Sequence, residues 1–241
     1  MAVPLSGGVS GRLVDRPDLR GRVGVFADRV HAGRVLAEML ETEISPDAVV
    51  AAIPAGGVPV GATLASALGV GLEPLVVSKV TFPWTTEAGY GAVAFDGTIC
   101  IDRSLVERVG VSEEQVQRDL AATVEKVRRR AARFGAEGLA DRLRDREVVV
   151  VDDGLASGVT LRTALAAVRH ARPRRLLVAV PSAHDVSADR VLSEVDTLVC
   201  ANLRSGPSFA VADAYRRWTD VSEEEALAWI RRLRQEEKPE P

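Results

Sequence analysis

One segment of this chain, residues 148–160, restricts the possible folds more than any other. It reads VVVVDDGLASGVT, which is four valines, two aspartates and a run of mostly small residues. Four β-branched residues in succession favour a strand that is buried on both faces, as in a parallel sheet. The residues that follow, 161–170, are predicted to form a helix. A strand, a turn of small residues and a helix together direct backbone N–H groups and a helix N-terminus towards an anion.

Asp152 and Asp153 lie where the predicted strand ends, and they suit a different partner from the amides that follow. Paired carboxylates hold a cation or accept hydrogen bonds from hydroxyl groups. A phosphorylated sugar with a divalent metal ion suits both features. A simple turn is the structural alternative, with Ser157 as an ordinary helix N-cap. Two hydroxyls and two glycines around one turn exceed what capping requires, so the pattern favours a binding site.

Other signatures with a similar appearance do not match the chain. A nucleotide-binding P-loop requires Gly-Lys-Ser/Thr at the start of a helix, and that tripeptide does not occur here. A dinucleotide-binding fingerprint requires Gly-x-Gly-x-x-Gly after a strand. The nearest match, Gly69-Val70-Gly71, follows a helix-like stretch and leads into Pro74. A phospho-acceptor receiver domain also has two acids at a strand end, but a glycine- and hydroxyl-rich loop directly after them is not expected in such a domain.

Composition and charge disfavour several classes of protein. The 241 residues are enough for one domain with appendages, or else for two small domains. The net charge is −3 and no nucleic-acid-reading motif is recognisable, which disfavours nucleic-acid binding. We expect no membrane association, because no apolar stretch is long enough to span a bilayer and no signal-peptide pattern is present. Cys100 and Cys200 lie in apolar surroundings without metal-ligand spacing, so we expect buried free thiols in a cytoplasmic protein.

Strand-like and helix-like segments alternate along most of the chain, which predicts an α/β fold. We expect a mostly parallel sheet with helices on both faces, plus a small cap from the terminal segments. The predicted units are an N-terminal arm or cap (1–24), the α/β domain (25–212) and a C-terminal helix with a charged tail packed on that domain (213–241). The predicted strands are 48–53, 75–80, 98–102, 148–151, 175–180, 197–200 and 208–211. The predicted helices are 28–40, 58–68, 112–134, 161–170, 188–195 and 222–234.

Open sheets of this kind bind ligands beyond the carboxyl ends of their strands. That rule places four segments along one edge: 54–57, 81–97, 152–160 and 181–184. The segment 81–97 is the longest stretch without a core pattern, and we expect a functional or disordered loop there. The arginines at 128–133 share a predicted helix with several acids, so an ion-paired, solvated face is expected for them.

The 148–160 segment closely resembles the ribose-phosphate motif of the type I phosphoribosyltransferases, in which a hydrophobic strand is followed by two acids and a small loop ending Thr-Gly-x-Thr. Ser157 takes the place of the first threonine and keeps its hydroxyl. The resemblance implies that Asp152 and Asp153 bind the ribose 2′- and 3′-hydroxyls of 5-phosphoribosyl 1-pyrophosphate, directly or through Mg²⁺. It also implies a 5′-phosphate site in the loop that follows, formed by Gly154, Leu155, Ala156, Ser157, Gly158, Val159 and Thr160.

The resemblance extends from about Asp28 to Ile230 and is closest to one subfamily, whose members are mostly named from sequence. The subfamily shares a Pro-x-Gly-Gly-Val-Pro-Val turn and an Asp-Asp-Gly-x-Ala-Ser/Thr-Gly-x-Thr motif. Further matching motifs are Asp28-Arg29 with Ala32-Gly33, Gly91-Ala92-Val93, Ala179-Val180-Pro181, Phe209-Ala210-Val211 and Tyr215. The resemblance implies pyrophosphate binding by Pro54, Ala55, Gly56 and Gly57, catalytic contributions from Lys79, Glu87 and Tyr90, and an acceptor pocket near Pro181, Ser182 and Phe209.

Each of these assignments has a physical reason and a structural alternative. Glycines in the 54–57 turn let the backbone approach a ligand closely, and Lys79 places a positive charge beside a pyrophosphate leaving group. Glu87 and Tyr90, with glycines around them, suit a mobile lid that closes over the reaction and excludes water. Otherwise 54–57 is a plain strand-to-helix turn, Lys79 is a solvated strand end and Phe209 is a core side chain.

Three positions depart from the family pattern. The subfamily usually has arginine where this chain has Ala55, and many relatives have arginine where this chain has Ser78. Both changes remove a cation from the expected pyrophosphate side, and each lost charge-assisted contact costs about 1.5–3 kcal/mol. The 6-oxopurine enzymes carry an aspartate in place of Ala156, so its absence counts against hypoxanthine or guanine as the acceptor.

The leading hypothesis is transfer of a 5-phosphoribosyl group to a nitrogen nucleophile, such as a nucleobase, with release of pyrophosphate and with Mg²⁺ as cofactor. The alternative is a catalytically weak or inactive regulator of the same superfamily that senses a nucleotide or phosphoribosyl pyrophosphate. Steady pyrophosphate release with some acceptor would distinguish the enzyme from the sensor. The expected partners are small molecules, with a homodimer as a further possibility.

Overall fold

The computed structural model describes residues 11–85 and 88–236, and a six-stranded sheet forms its centre. The strands of this sheet are β1 (Arg12–Asp15), β2 (Val49–Ala52), β3 (Gly71–Pro74), β7 (Glu147–Val151), β8 (Arg175–His184) and β9 (Thr197–Arg204). A smaller sheet contains β4 (Val77–Thr81), β5 (Gly89–Ala94) and β6 (Ile99–Ile101). The helices are α1 (Arg29–Leu40), α2 (Gly57–Leu68), α3 (Arg103–Val109), α4 (Glu113–Phe134), α5 (Leu139–Leu143), α6 (Val159–His170), α7 (Asp185–Leu192) and α8 (Glu223–Glu236).

Every neighbouring pair of strands in the large sheet is parallel, in the order β1-β9-β8-β7-β2-β3. β7 lies in the interior of this order, and all of its residues are buried, including Glu147. Glu147 is tolerated there because it pairs with Arg175 and accepts a hydrogen bond from Ser45. The valine run therefore forms a strand covered on both faces, and the predicted α/β fold with a mostly parallel sheet is confirmed.

The chain leaves the centre of the sheet in two opposite directions. β2 continues through α2 to β3 on one side, whereas β7 continues through α6 to β8 on the other. Because such crossovers are right-handed, α2 and α6 lie on opposite faces of the sheet. A crevice then opens between the carboxyl ends of β2 and β7, which is the preferred ligand position in open α/β sheets.

The small sheet is antiparallel, and β5 lies where the sequence predicts a long loop, 81–97. β5 contains two glycines, Gly89 and Gly91, which lack the side chains by which a strand is recognised in a sequence. A Cβ at Gly91 would stand 2.4 Å from Ile101 Cδ1, and one at Gly89 would stand 2.6 Å from the Val80 carbonyl oxygen. The packing of this sheet therefore requires small residues, and the loop prediction is wrong for residues 89–94.

Other differences from the prediction lie near the ends of elements and of the chain. Residues 12–15 pair with β9 as an edge strand, so this part of the predicted arm belongs to the sheet. Residues 71–74, predicted as a turn, form β3, and residues 181–184, expected beyond the end of the predicted strand 175–180, extend β8. Residues 211–214 form a 3₁₀ turn in place of the predicted strand at 208–211. Helices α3 and α5 have no counterpart in the prediction.

The predicted helices at 28–40, 112–134 and 222–234 are confirmed, and a side chain caps the N-terminus of each one. Asp28 accepts a hydrogen bond from the amide three residues on, and so do Ser112 and Ser222. α8 packs against α2 and so joins the C-terminal segment to the α/β domain. Within residues 11–85 and 88–236, no helix combines the length and the apolar character needed to cross a membrane.

Both cysteines are free thiols, but their environments differ. Cys200 in β9 is buried, which raises its pKa to about 12 and makes it unreactive near neutral pH. Cys100 in β6 is half-buried. The expectation of a buried thiol therefore holds for Cys200 alone.

Candidate functional site

The turn after β2 and the loop after β7 lie side by side in the central crevice, because the two strands end in register. A Cβ on Gly56 would stand 2.1 Å from Asp153 Oδ2, and one on Gly57 would stand 2.9 Å from Asp152 Cα. Both positions therefore require glycine for contact between the two segments. The sequence predicts that these glycines let a ligand approach closely, but the groups that approach them in the structure are the two acids.

Asp152 lies where two cavities of the crevice meet, and it is half-buried. Its Oδ1 accepts a hydrogen bond from the Asp153 amide at 2.9 Å. Burial raises the pKa of Asp152 well above its usual value, and the neighbouring charge of Asp153 raises it further. A carboxyl group in this environment either holds a proton or gains from a bound cation.

Asp153 differs from Asp152 because it already has a cationic partner. Arg29 Nη2 and Nε lie 2.8 Å and 2.9 Å from Asp153 Oδ2. Arg29 also donates to the Thr219 carbonyl at 2.8 Å and stands 3.8 Å from the ring centre of Trp218. Burial raises the pKa of Asp153, and the charge of Arg29 opposes that shift.

The structure thus separates two acids that the sequence analysis treats alike. Asp152 borders both cavities, whereas Asp153 borders only the smaller one and also anchors α1 to the C-terminal segment through Arg29. Arg29 is a site residue that the sequence analysis names only within a family motif. The sequence feature that could have identified it is an arginine in the first turn of a predicted helix, directly after the capping aspartate.

The loop after β7 presents a row of backbone N–H groups. In the described ranges, 11–85 and 88–236, the amides of residues 156–160 donate to no protein acceptor. Gly158 has a φ of +77°, a conformation that favours glycine and turns the chain into α6. Thr160 Oγ1 is buried and has no hydrogen-bond partner either. A helix N-terminus with unused amides and an unpartnered hydroxyl is suited to an anion.

Leu155 does not belong to this row, although it is among the predicted phosphate-binding residues. Its amide donates to the Ser182 carbonyl at 2.9 Å, and its carbonyl accepts from the His184 amide at 3.0 Å. Its side chain is buried. Leu155 therefore attaches the loop to the end of β8, and its backbone is not available to a ligand.

The two cavities differ in size and in walls. The smaller has a volume of about 180 Å³ and is lined mainly by the loop 152–158. The larger has a volume of about 530 Å³ and lies between the turn after β2, strand β4 and helix α4. Lys79 and Thr160 border both cavities, as Asp152 does. The larger cavity brings together the predicted residues Pro54, Ala55, Gly56, Lys79, Asp152 and Thr160 with three side chains of α4, Thr123, Lys126 and Arg130.

Arg130 is a second site residue that the sequence analysis does not single out. Its Nη1 donates to the Val77 carbonyl at 2.8 Å and to Ser78 Oγ at 2.9 Å, and its Nη2 donates to the Pro54 carbonyl at 3.1 Å. Its Nε lies 2.6 Å from Glu223 Oε1, and the side chain is 13% exposed. The prediction of a solvated arginine cluster is therefore wrong for this member, which ties the β2 turn, β4 and α8 together.

The predicted lid is not formed by Tyr90. This side chain is fully buried in β5, its hydroxyl donates to Asp119 at 2.8 Å and its ring centre lies 5.1 Å from that of Phe82. Burial also raises its pKa. Tyr90 is therefore a core residue of the small sheet, which corrects its assignment as a catalytic residue. Glu87 lies outside the described residues.

The predicted acceptor pocket is also not found where the sequence analysis places it. Pro181 and Ser182 are buried within β8, and the Ser182 hydroxyl donates to the Asn202 carbonyl at 3.0 Å. Phe209 lies edge-on to His184, with ring centres 5.6 Å apart, and borders neither cavity of the crevice. These residues shape the end of the sheet, so the acceptor assignment is wrong for Pro181 and Ser182 and has no support for Phe209.

The described acids fit a metal ion that arrives with its substrate better than a resident metal ion. Among residues 11–85 and 88–236, no three His, Cys, Asp or Glu side chains are grouped to hold a metal. Mg²⁺ commonly takes only one or two protein carboxylates and fills its other positions with substrate phosphates and water. Asp152 fits that role, and Asp153 fits it less well because Arg29 occupies its Oδ2.

Comparison with known proteins identifies the family. The chain matches the phosphoribosyl transferase domain over residues 29–211, which is most of its length. The chain therefore belongs to the phosphoribosyl transferase family.

Two relatives illustrate the similarity. A Mycobacterium tuberculosis protein, provisionally named a phosphoribosyl transferase in strains H37Rv and CDC 1551, is 32% identical over 210 residues. That match covers 86% of this chain and 47% of the relative, so the chain spans about half the length of the curated relatives it matches. The crystal structure of TT1426 from Thermus thermophilus is 30% identical and superposes with a TM-score of 0.66 over 86% of this chain and 98% of that chain.

Proposed function

We propose that this protein is a phosphoribosyltransferase that binds 5-phosphoribosyl 1-pyrophosphate with Mg²⁺, transfers the phosphoribosyl group to a nitrogen nucleophile and releases pyrophosphate. One observation carries the proposal. In the described part of the chain, the amides of 156–160 and the Thr160 hydroxyl have no protein partner, and they lie directly beside Asp152. Unused donors suit a phosphate, and a carboxylate suits the hydroxyls or the metal ion of the attached sugar.

Each part of the donor has a place in the crevice. The 5′-phosphate occupies the smaller cavity, against the amides of 156–160. The ribose lies at the junction of the two cavities, where Asp152 meets its hydroxyls. The diphosphate extends into the larger cavity, between the turn after β2 and Lys79. This order follows from the connectivity of the donor, because the ribose must lie between its two phosphate groups.

The proposed reaction exchanges one bond at ribose C1. The bond from C1 to the pyrophosphate oxygen breaks and its electron pair leaves on pyrophosphate. A bond from C1 to the acceptor nitrogen forms, and the proton that this nitrogen loses passes to solvent water. Positive charge develops on the sugar in the transition state, where an ionised Asp152 stabilises it, and Lys79 offsets negative charge on the leaving group. The chemistry supplied by a bound Mg²⁺ would be further neutralisation of that leaving group.

A sensor that binds the same ligand without turnover is the second candidate, and two observations favour it. Ala55 and Ser78 offer no positive charge at the positions where the family often has arginine. Asp153 is engaged by Arg29 and so is less available to the ribose. A weakly held leaving group would reduce transfer more than it reduces binding of the phosphate and ribose.

Calorimetry with phosphoribosyl pyrophosphate and Mg²⁺ tests binding, and a pyrophosphate-release assay with purines, pyrimidines and simple amines tests transfer. For the enzyme we expect binding together with release that depends on one class of acceptor. Asp152→Asn should weaken binding strongly, whereas Asp141→Asn, which changes an exposed acid outside the crevice, should not. Binding without release for any acceptor would favour the sensor. Absence of binding by the unchanged protein would contradict both.

A further inference from the structure

We infer that Lys126 of α4 is a ligand of the diphosphate group and supplies, from a helix, the positive charge that Ala55 and Ser78 do not. The inference rests on the proposed function, since it concerns the diphosphate side of the same crevice. It adds a binding residue at a position that the family motifs in this sequence do not include.

The charges on α4 single out Lys126. The helix has six basic residues, five arginines and one lysine. Each arginine has an acidic partner within 4 Å, whereas Lys126 has none in the described part of the chain. The nearest acid in sequence, Glu125, is already paired with Arg128 and Arg129. The pairs of the arginines are Arg118–Glu114, Arg128–Glu125, Arg129–Glu125, Arg130–Glu223, Arg133–Glu223 and Arg133–Glu224.

Lys126 also lies on the correct face of the helix. Thr123, Lys126 and Arg130 follow the spacing of three and four residues that places side chains on one face, and all three border the larger cavity. The turn after β2 and Lys79 border the same cavity. An exposed lysine on this face has a flexible stem and three donors, which suits a phosphate group whose exact position is set by other contacts.

Arg130 cannot fill this role as well as Lys126. Four of its five N–H bonds are directed at Glu223, Val77, Ser78 and Pro54. Glu223 also balances its charge. Arg130 therefore builds the wall of the cavity, whereas Lys126 provides a charge that has no ion-pair partner within 4 Å in the described residues.

The test compares Lys126→Gln with Lys126→Arg by calorimetry, using inorganic pyrophosphate with Mg²⁺ and, separately, ribose 5-phosphate. We expect Lys126→Gln to weaken pyrophosphate binding about tenfold and to leave ribose 5-phosphate binding unchanged, because that ligand uses the other cavity. Lys126→Arg should restore most of the pyrophosphate affinity. Arg129→Gln is the matched control, since it removes one charge from the same helix at a residue that does not border the cavity. Thermal unfolding of Lys126→Gln should be unchanged, because the side chain is exposed.

The outcomes separate this inference from the proposed function. Equal pyrophosphate affinity in the unchanged protein and Lys126→Gln overturns the inference, while the proposed function stands if phosphoribosyl pyrophosphate still binds. An equal loss of affinity for pyrophosphate and for ribose 5-phosphate in Lys126→Gln also overturns it. So does an equal loss of pyrophosphate affinity in Lys126→Gln and Arg129→Gln. In either case the overall positive charge of the helix would explain the effect. A further outcome is that the protein binds pyrophosphate in a way that depends on Lys126 and yet does not bind phosphoribosyl pyrophosphate. That outcome would support the diphosphate site and contradict the proposed function.

Discussion

The two sides of the central crevice are built in different ways. The phosphate side uses one continuous segment, 156–160, whose amides need only a tight turn and the start of a helix. The diphosphate side is assembled from the turn after β2, from β4, from α4 and from α8, which meet only in the folded chain. A site made of local backbone depends on conformation, whereas a site made of distant side chains depends on tertiary contacts. Substitutions on the two sides should therefore have different consequences.

Asp152 belongs to both sides, so its replacement should have the largest effect. We expect Asp152→Asn to weaken binding of phosphoribosyl pyrophosphate with Mg²⁺ on the order of 100-fold, through loss of contacts made by a charged group. The melting temperature should rise, because asparagine avoids the cost of charging a buried carboxyl and can still accept from the Asp153 amide. Calorimetry and thermal unfolding measure the two effects.

Asp153→Asn is the matched control for that prediction. It leaves Arg29 without its ion-pair partner in a largely buried position, so the melting temperature should fall rather than rise. Ligand affinity should fall less than in Asp152→Asn. Equal affinity losses with equal changes in stability would show that the two acids do not have the separate roles assigned to them.

Arg130→Met tests whether the assembled side is the more fragile one. The variant keeps an apolar stem but loses donors to the Val77 carbonyl, the Ser78 hydroxyl and the Pro54 carbonyl. We expect the free energy of unfolding to fall by about 2–3 kcal/mol. Pyrophosphate binding should weaken about tenfold while ribose 5-phosphate binding is unchanged. Denaturant unfolding and calorimetry check these values, with Arg129→Met as the control. A similar loss for both ligands would contradict the separation of the two sides.

The same contrast explains how much of the molecule could be predicted from the sequence. The strand, the two acids, the glycine turn and the helix of 148–170 are consecutive, so local patterns predict them and their place at the sheet edge. The parallel sheet follows from the alternation of strands and helices. Leu155 shows the limit of a local motif, because its amide donates to the Ser182 carbonyl. Ser182 is 27 residues further along the chain, in a segment that extends strand β8 beyond its predicted end.

The diphosphate side could not be predicted in the same way. Arg130 is 52 residues from Ser78 and 76 residues from Pro54, and its neighbours in sequence are ordinary solvated arginines. One signal was available: Arg130 falls on the same helical stripe as the buried Val127 and Phe134, where a basic residue is unusual. The lid assignment of Tyr90 and the acceptor assignment of Pro181 and Ser182 failed for a related reason, because a residue between glycines or after a strand resembles a loop residue until its tertiary partners are known.

Thr160→Val tests the phosphate side and should show the opposite pattern to Arg130→Met. The Thr160 hydroxyl has no partner in the described part of the chain, so its removal should not lower stability. Ribose 5-phosphate binding should weaken about tenfold if that hydroxyl bonds the phosphate. Thr163→Val, one turn along α6, is the control: its buried hydroxyl bonds the Val159 carbonyl, so its loss should affect stability and not affinity. A destabilised Thr160→Val protein with normal affinity would assign this hydroxyl to the fold.

The dependence of stability on pH should be the smallest of the expected effects. It concerns Asp152, which borders both cavities of the crevice. The pKa of this carboxyl is higher in the free folded protein than in an unfolded chain, so between those two values the folded state binds more protons. The free energy of unfolding should therefore fall as pH rises through that window, by at most about 1.4 kcal/mol per pH unit. Asp152→Asn should flatten the curve, although Asp153, whose pKa is also raised, retains part of it.

Ligand binding should respond to the same proton with the opposite sign. Phosphoribosyl pyrophosphate with Mg²⁺ selects the ionised carboxylate, so its affinity should rise with pH where the stability of the free protein falls. Titrations across that range, in the unchanged protein and in Asp152→Asn, measure the difference. A slope that survives in the variant belongs to Asp153 or to the phosphate of the ligand, whose second pKa is about 6. If the whole slope survives, the titrating group lies on the phosphate side of the crevice and Asp152 does not join the two sides.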